Sequence, residues 1–538
     1  MRSILIFGIL IMMAACANRV TPTGGLKDEL PPKVTEAIPA NKTTLFKSGV
    51  IKLYFDEYVQ LNDLAGQFLV SPLMNKMPEV KANKNEVIIT LPDSLLANTT
   101  YTLNFGKSIV DVHESNPLAD YQYVFSTGDF LDSLKLEGVV EDAAVLTGLK
   151  GITVLVYRNI CGKSDSLPFK KRPDYFSRTN EHGEFRINNM SPGEYSVYAL
   201  DDKNGNYICD SPQDESLAFM DSTVTLPGEK LITLLAATTE PATMRLVKYN
   251  KVDRNTVLIA FNKVADSVEV KNIDGSTPAV GNFYWTSFHD SLYFYREKNQ
   301  DSIHLVFFDR GIAFDTLSIS MNPAKGVKEP DQKLRLTIRR SPADGGPESG
   351  LVFVASHPLA LAIDSATVSE DSSKALRLKL DIVDGSRGVF RLYYPWKSGG
   401  RYKVQLLPGA VTDIFGLTTD TFRLDFTVPT PEITAMLTVS TEGLHAGGNY
   451  LLQLMNDKFE MLRTISLTSD TTLTFSYLNA GSIKLRLIND LNHDGRWTYG
   501  NYLLRRQPEP VFVHPETLTL RSNWELDVTL KVPVLFTP

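Results

Sequence analysis

The chain has 538 residues, of which 43% are apolar, and its 55 basic and 62 acidic side chains leave a formal net charge of −7. This length predicts several domains, because a single hydrophobic core stops growing well before it, and the apolar share argues against a disordered chain. The acidic balance excludes a typical nucleic-acid-binding surface, which needs an excess of basic side chains, so nucleic acid is not an expected partner.

The first sixteen residues are typical of an export signal. Arg2 precedes a short apolar run, and the run ends in Met13-Ala14-Ala15-Cys16. The run is shorter than the ~20 apolar residues of a membrane-spanning helix, and small residues before a cysteine fit a cleavage site. The tail resembles a bacterial lipobox. That resemblance implies removal of residues 1–15, acylation of Cys16 by chains such as palmitate, and membrane lipid as a partner. The alternative is an ordinary signal peptide that is cleaved elsewhere.

Residues 16–30 are rich in Pro, Gly and Thr and show no apolar period, so they are expected to be a flexible tether. Strand signals begin after Pro31-Pro32. Short runs of alternating or β-branched residues, separated by turn clusters such as Leu91-Pro92-Asp93-Ser94, predict an antiparallel β-sandwich over residues 31–130. Helical periodicity is nearly absent throughout the chain, so the predicted fold class is all-β, with tandem β-sandwich domains.

Several motifs in the first sandwich resemble a bacterial Ig-like domain of the kind found in S-layer and other cell-surface proteins. They are Pro39-Ala40-Asn41, Leu53-Tyr54-Phe55-Asp56-Glu57, residues 95–101, residues 109–118 and Phe125-Ser126-Thr127. The resemblance implies a structural or adhesive spacer and no enzyme activity. The adjacent carboxylates Asp56 and Glu57 would point to opposite faces of a strand, which favours a structural role over an acid–base pair.

A second domain is predicted over residues 131–235. A turn at Gly183, a strand, the pair Pro192-Gly193 and a strand running into acidic residues resemble the transthyretin-like or carboxypeptidase-regulatory-like sandwich. The resemblance again implies a β-sandwich without chemistry of its own. Looser strand spacing predicts an Ig-like sandwich over 236–345.

Two internal repeats organise the remainder. Residues 98–125 match residues 399–426, which predicts a further Ig-like sandwich over 346–430. Residues 193–206 match residues 481–495, which predicts a degenerate transthyretin-like sandwich over 431–538. In the second pair, each copy is a glycine, an alternating strand and an Asp-x-Asn-x-(Asn/Asp) loop.

These two loops are the chemical candidates. Calcium loops place oxygen ligands at alternating positions of a tight turn, because a hard cation takes only oxygen. The first loop offers Asp202, Asn204, Asn206, the Ile208 carbonyl and Asp210, with Asp214 or Glu215 to close the site, and the second offers Asp490, Asn492 and Asp494. Tyr207 stands where glycine is usual, and Gln213 and Asn501 stand where a closing acid is usual. The alternative is an Asx-rich hairpin whose side chains bond their own backbone.

Other sites find little support in the sequence. No zinc, phosphate-loop or serine-nucleophile motif is present. Apart from Cys16, the chain has Cys161 and Cys209, which could form a disulfide in an exported protein or remain unpaired. Aromatic rows at Phe283-Tyr284-Trp285, Tyr293-Phe294-Tyr295 and Tyr393-Tyr394-Pro395-Trp396 fit either core packing or an exposed binding surface.

The sequence therefore predicts a non-enzymatic envelope lipoprotein that holds one or more protein partners through tandem β-sandwiches. The alternative is an anchored protein that binds carbohydrate or peptide through exposed aromatic patches. The whole chain resembles Ig-like-domain lipoproteins of Bacteroidetes-type bacteria. Outer-membrane anchoring is expected. The periplasmic face is favoured over the cell surface, because Ala17-Asn18-Arg19-Val20 carries no acid directly after the cysteine.

Overall fold

The structure is a computed structural model, and the elements it contains are almost all β-strands. It describes residues 28–92, 94–159, 166–210, 215–228, 231–237, 243–265, 267–278, 283–286, 289–296, 301–322, 334–362, 366–370, 375–384, 387–502, 504–533 and 536. Helix is limited to single turns in the described residues: Leu64–Gln67, Leu167–Lys170, Pro342–Gly345, Pro347–Ser349 and Pro431–Ile433. The predicted all-β class with tandem β-sandwiches is confirmed.

The chain divides into two compact units. The first consists of Met1–Val139, Lys150–Ile208 and Met220–Thr233, and the second consists of Val140–Leu149, Cys209–Phe219 and Leu234–Pro538. Within these units we name five groups of strands the first to fifth sandwich, in chain order. The five domains predicted from the sequence, with their boundaries, stay predictions.

The first sandwich lies in the first unit. Its sheets have the strand orders β1-β2-β6-β5, β3-β8 and β4-β7-β9. The strands are β1 (Val34–Ile38), β2 (Val50–Phe55), β3 (Val59–Leu61), β4 (Leu69–Ser71), β5 (Glu79–Asn83), β6 (Glu86–Thr90), β7 (Thr100–Asn104), β8 (Ile109–Asp111) and β9 (Gln122–Ser126). Alternate residues of β2 (Ile51, Leu53 and Phe55) are buried, as a strand with one face on the core requires.

The second sandwich has sheets of order β13-β10-β17 and β12-β11-β14, with β16 paired to β14. Its strands are β10 (Leu134–Asp142), β11 (Thr153–Arg158), β12 (Tyr175–Arg178), β13 (Glu184–Met190), β14 (Gly193–Leu200), β15 (Leu217–Phe219), β16 (Val224–Leu226) and β17 (Leu231–Ala236). Gly138 allows close packing here, because an added Cβ would lie 2.4 Å from the Ile232 carbonyl oxygen.

The third sandwich lies in the second unit and has sheets of order β18-β19-β22-β21 and β20-β23-β24 around one apolar core. Its strands are β18 (Leu246–Lys251), β19 (Thr256–Phe261), β20 (Val268–Asn272), β21 (Phe283–Trp285), β22 (Ser291–Tyr295), β23 (Ser302–Asp309) and β24 (Ile312–Ser320).

The fourth sandwich follows and has sheets of order β25-β26-β31-β30, β27-β33 and β29-β28-β32-β34. Its strands are β25 (Leu336–Arg340), β26 (Leu351–Ala355), β27 (Leu359–Ala362), β28 (Ala366–Glu370), β29 (Leu376–Leu378), β30 (Leu380–Asp384), β31 (Val389–Leu392), β32 (Arg401–Leu406), β33 (Val411–Asp413) and β34 (Phe422–Thr427). The β27–β33 pair corresponds to the β3–β8 pair of the first sandwich: Val59 lies opposite Asp111, and Leu359 lies opposite Asp413.

The fifth sandwich completes the second unit with sheets of order β38-β35-β42 and β37-β36-β39-β40, and β41 pairs with β39. Its strands are β35 (Ala435–Glu442), β36 (Tyr450–Asn456), β37 (Met461–Leu467), β38 (Thr472–Leu478), β39 (Gly481–Asn489), β40 (Val511–Val513), β41 (Leu518–Leu520) and β42 (Trp524–Lys531). The β35–β42 pair is parallel over eight register positions, from Ala435–Trp524 to Glu442–Lys531.

A buried tyrosine fixes the same corner in three sandwiches. The hydroxyls of Tyr101, Tyr402 and Tyr450 accept a hydrogen bond from the backbone N–H five residues upstream, at 2.9, 2.9 and 3.3 Å. Each side chain is 2% exposed or less. This resembles the tyrosine corner of Ig-like sandwiches, in which a hydroxyl ties the start of a strand to the preceding turn.

Candidate functional site

Several predicted site residues lie outside the described residues: Cys16, Cys161 and Asp214. Lipidation at Cys16 therefore stays a prediction. Cys209 is described and is buried, with 2% of its surface exposed. Because Cys161 is not described, the disulfide between the two cysteines also stays a prediction.

The first Asp/Asn loop begins directly after β14. Both oxygens of the Asp202 carboxylate accept backbone hydrogen bonds, Oδ1 from Gly205 at 2.8 Å and Oδ2 from Tyr207 at 2.9 Å. The side chain of Asn206 accepts one from the N–H of Ile208 at 2.7 Å. Gly205 has φ of 72° and Tyr207 of 65°, so the turn requires left-handed backbone where the sequence supplies a tyrosine.

The second loop follows β39 and has the same backbone path. Asp490 accepts from the N–H groups of Asp494 at 3.1 Å and Gly495 at 2.9 Å, and left-handed φ values recur at His493 and Gly495. Asp490 is 1% exposed, and its Oδ2 also accepts from the Asn449 side chain at 2.8 Å. The agreement between the two loops follows the sequence repeat.

A buried acid supports the second loop from a distant position. Glu509 is 6% exposed, and its oxygens accept from the N–H groups of Leu491 at 2.8 Å and Thr498 at 2.9 Å. Burial raises the pKa of Glu509, and the nearby Asp490 charge acts in the same direction. In the first loop, Glu215 is likewise buried and accepts from the N–H of Asp210 at 2.8 Å. Sequence reasoning missed Glu509, because it lies 19 positions after Asp490, outside any loop template.

The two loops thus use their carboxylates and amides to hold the backbone in a tight turn, which fits the Asx-rich alternative. Among the described residues, no group of three or more His, Cys, Asp or Glu side chains is placed to hold a metal ion. A calcium ion at either loop would therefore depend on amide and carbonyl oxygens as well as on carboxylates. Calcium binding stays a prediction.

A further acidic group lies at one end of the first sandwich. The buried Asp111 carboxylate accepts three backbone hydrogen bonds, at 2.6, 3.0 and 2.7 Å from the N–H groups of Glu114, Ser115 and Asn116. Burial raises the pKa of Glu57, and the charges of Asp111, Asp56, Asp28 and Glu114 raise it further. These contacts favour the structural interpretation of the Asp56-Glu57 pair, since Asp56 accepts from the N–H of Lys33 at 2.8 Å.

The predicted aromatic rows are mostly part of the cores. Phe294 and Tyr295 are 2% and 1% exposed, and Trp396 is 6% exposed and packs on Tyr402. Tyr393 is exposed, and the Arg391 guanidinium lies over its ring, 4.2 Å from the ring centroid. Tyr284 and Tyr293 are half-buried and stack on each other, with ring centroids 5.2 Å apart.

Residues 28–127 match the family model described as "Bacterial Ig-like domain". The first sandwich is thus a bacterial Ig-like domain, and the resemblance stated from its motifs is confirmed. No curated protein matches the chain. In the part of the chain that the structure describes, no helix has the length and apolarity needed to cross a membrane.

Several solved structures are similar to the chain. The Bacillus anthracis TIE protein is 10% identical with a TM-score of 0.14, and the alignment covers 98% of this chain and 78% of that one. Surface layer protein SbsC, domains 1–6, is 11% identical with a TM-score of 0.14, and the alignment covers 86% of this chain and 64% of that one. The major pilin SpaD of Corynebacterium diphtheriae is 11% identical with a TM-score of 0.17, and the alignment covers 74% of this chain and 97% of that one. Similarity at this level carries no information about activity or partners.

Proposed function

We propose that this chain is a non-enzymatic lipoprotein of the outer membrane, anchored through acylated Cys16, whose tandem β-sandwiches hold an envelope protein in place. The observation that carries the proposal is the use of its carboxylates. Asp111 and Asp490 are buried and accept hydrogen bonds from the backbone of their own turns, and the buried Glu509 accepts from the backbone of the loop that follows Asp490. A catalytic carboxylate has to reach a substrate proton, so acids used in this way support architecture.

The match of residues 28–127 to a bacterial Ig-like domain supports the same function. A fold hosts many functions, so this support comes from analogy, and the hydrogen bonds of the carboxylates supply the physical argument. The periplasmic face is proposed because no acid occurs between Cys16 and Asp28. Phe294, Tyr295 and Trp396 are buried, so these three rings are not available to a carbohydrate or peptide.

The test compares the wild-type chain with Cys16→Ser, and uses Ala17→Ser as the matched control because it leaves the cysteine intact. Cells are fed an alkyne-bearing palmitate analogue, fractionated, and crosslinked as intact envelopes before the chain is recovered. We expect the wild type and Ala17→Ser to carry the label, to sediment with outer membrane and to recover the same crosslinked proteins. Cys16→Ser should lose the label, the membrane fraction and those proteins.

Two results would contradict the proposal. Recovery of the wild-type protein without label in the soluble fraction would show that Cys16 does not anchor the chain. A Cys16→Ser chain that is unlabelled but crosslinks the same proteins would show that position at the membrane is not what the chain supplies. Recovery of glycan fragments in place of crosslinked proteins would favour the carbohydrate-binding alternative.

A further inference from the structure

A buried histidine lies where the third and fourth sandwiches meet within the second unit. Its Nδ1 is 2.7 Å from Oδ2 of Asp413, and its Nε2 is 2.9 Å from Oδ2 of Asp253. This residue, His357, lies between β26 and β27 of the fourth sandwich and is 2% exposed. Both ring nitrogens therefore face carboxylate oxygens at hydrogen-bond distance. Only the imidazolium form can donate from both.

The two carboxylates come from different sandwiches. Asp413 ends β33 of the fourth sandwich and accepts from the N–H groups of Phe415 at 2.9 Å and Leu417 at 2.7 Å through its other oxygen. Asp253 lies in the turn between β18 and β19 of the third sandwich, where its Oδ1 accepts from the N–H of Asn255 at 2.7 Å. Each aspartate is thus fixed by its own backbone, and the imidazole joins the two.

Aromatic rings keep this contact away from water. Tyr295 of the third sandwich and Phe415 of the fourth lie edge-to-face with the imidazole, with ring centroids 6.2 and 5.4 Å from it. The side chain of Asp413 is fully buried and that of Asp253 is 27% exposed. Burial lowers the pKa of His357, but the hydrogen bonds and charges of the two carboxylates outweigh it and raise the pKa to about 9.

The corresponding position of the first sandwich carries an acid. Glu57 follows β2 by two residues and precedes β3 by two, as His357 does for β26 and β27. Asp111 is the counterpart of Asp413 in register. In the first sandwich, an acid thus stands next to the buried aspartate, and in the fourth a base does. A sandwich of this form thus accommodates an acid at the position that His357 occupies in the fourth sandwich.

We propose that His357 is a buried cation that couples the third and fourth sandwiches into one rigid pair by bridging Asp253 and Asp413. The physical reason is the cost of an uncompensated buried charge. Two carboxylates brought together in an apolar contact repel each other unless a cation lies between them, and removal of one member of a buried ionic group is strongly destabilising. The pair of sandwiches then presents one fixed surface to a partner.

The test measures hydrogen exchange of the full chain by mass spectrometry, peptide by peptide, at one pH. His357→Gln keeps the size of the side chain and one donor but removes the charge. Asp253→Asn removes the carboxylate of the third sandwich and leaves intact the hydrogen bonds that Asp413 accepts from Phe415 and Leu417. Exposed His304, on β23 of the third sandwich, provides the matched control His304→Gln.

We expect His357→Gln to exchange at least tenfold faster in peptides of both sandwiches: β19 and β22 in the third, and β27 and β33 in the fourth. Asp253→Asn should do the same, and the double variant should be no worse than the more damaged single one. His304→Gln should leave these peptides unchanged.

The proposal is overturned if His357→Gln speeds exchange only in the fourth sandwich, because the histidine would then stabilise its own sandwich alone. It is also overturned if the effects of His357→Gln and Asp253→Asn simply add. If His357→Gln does not fold, Asp253→Asn alone decides: protection lost in both sandwiches supports coupling, and protection lost in the third alone contradicts it.

Discussion

The stability of the third and fourth sandwiches should fall as the pH rises from about 6.5 to about 9, because His357 loses its proton over that range. The pKa of His357 is raised from 6.5 to about 9 in the folded chain. A group whose pKa is higher in the folded state contributes its full stabilisation below the unfolded value and loses it as the pH passes the folded value. The titratable groups that face the imidazole are Asp253 and Tyr295 of the third sandwich and Asp413 of the fourth.

The expected loss of unfolding free energy follows from the raised pKa of His357. Each pKa unit corresponds to about 1.4 kcal/mol, so the linkage at His357 amounts to roughly 3 kcal/mol between the two limits. The side chain is only 3% exposed, so solvent screening does not reduce this figure much. Over the same range Asp253 remains ionised, because its pKa is lowered: burial opposes ionisation, but the hydrogen bonds from His357 and Asn255 favour it.

The assay is urea unfolding of the full chain followed by tryptophan fluorescence. The chain has four tryptophans, and replacing Trp497 and Trp524 with Phe leaves Trp285 in the third sandwich and Trp396 in the fourth as probes. The unfolding free energy should decline from pH 6.5 to 9 in this background. His357→Gln should flatten the decline, and His304→Gln should retain it. A decline of equal size with and without His357 would refute the reasoning.

Three further outcomes are expected. Tyr402→Phe removes the hydrogen bond from the N–H of Lys397 and should lower the unfolding free energy of the fourth sandwich by about 1 kcal/mol in urea titrations. Asp111→Ala removes the shared acceptor of three backbone hydrogen bonds in a part-buried turn and should cost roughly 2–4 kcal/mol. In the wild type, the contribution of Asp111 should be lost as the pH falls through its lowered pKa: burial raises that pKa, but the backbone hydrogen bonds lower it further. Millimolar calcium should raise the melting temperature, and Asp202→Ala should abolish the rise that comes from the first loop; no rise in the wild type would leave both loops as Asx turns.

Much of the fold could be predicted from local patterns. Strands such as Val50–Phe55 are predicted by apolar alternation. The internal repeat between residues 98–125 and 399–426 corresponds to strand pairs of the same register, in which Tyr101 lies opposite Phe125 and Tyr402 lies opposite Phe426. The shared Asp-x-Asn-x-(Asn/Asp) spacing correctly predicted two loops of the same form. These features are local, since each depends on residues that are close in sequence.

Most of the contacts missed by sequence reasoning are between distant residues. His357 meets Asp253 across 104 positions and Asp413 across 56, and nothing in the segment Ser356-His357-Pro358 indicates either partner. Glu509 supports its loop in the same way. The tyrosine corner could have been predicted, because Tyr101, Tyr402 and Tyr450 each follow a turn and lie at the start of an apolar strand. In each sandwich, however, a single tyrosine is the only sequence signal, and only its repetition makes the pattern visible.

Glu57 of the first sandwich and His357 of the fourth occupy corresponding positions in turns of the same form, but their surroundings differ. In the first sandwich, the acid lies among Asp56, Asp111 and Glu114, and its raised pKa reflects this unfavourable surrounding charge as well as burial. In the fourth sandwich, the same turn carries a base, and an aspartate from a neighbouring sandwich lies within hydrogen-bond distance of it. The buried aspartate opposite occurs in both sandwiches and accepts hydrogen bonds from its own turn in both, so the facing residue is what differs between the two turns. Under the proposed coupling, the exchange of one acid for a base would join two neighbouring sandwiches of such a chain.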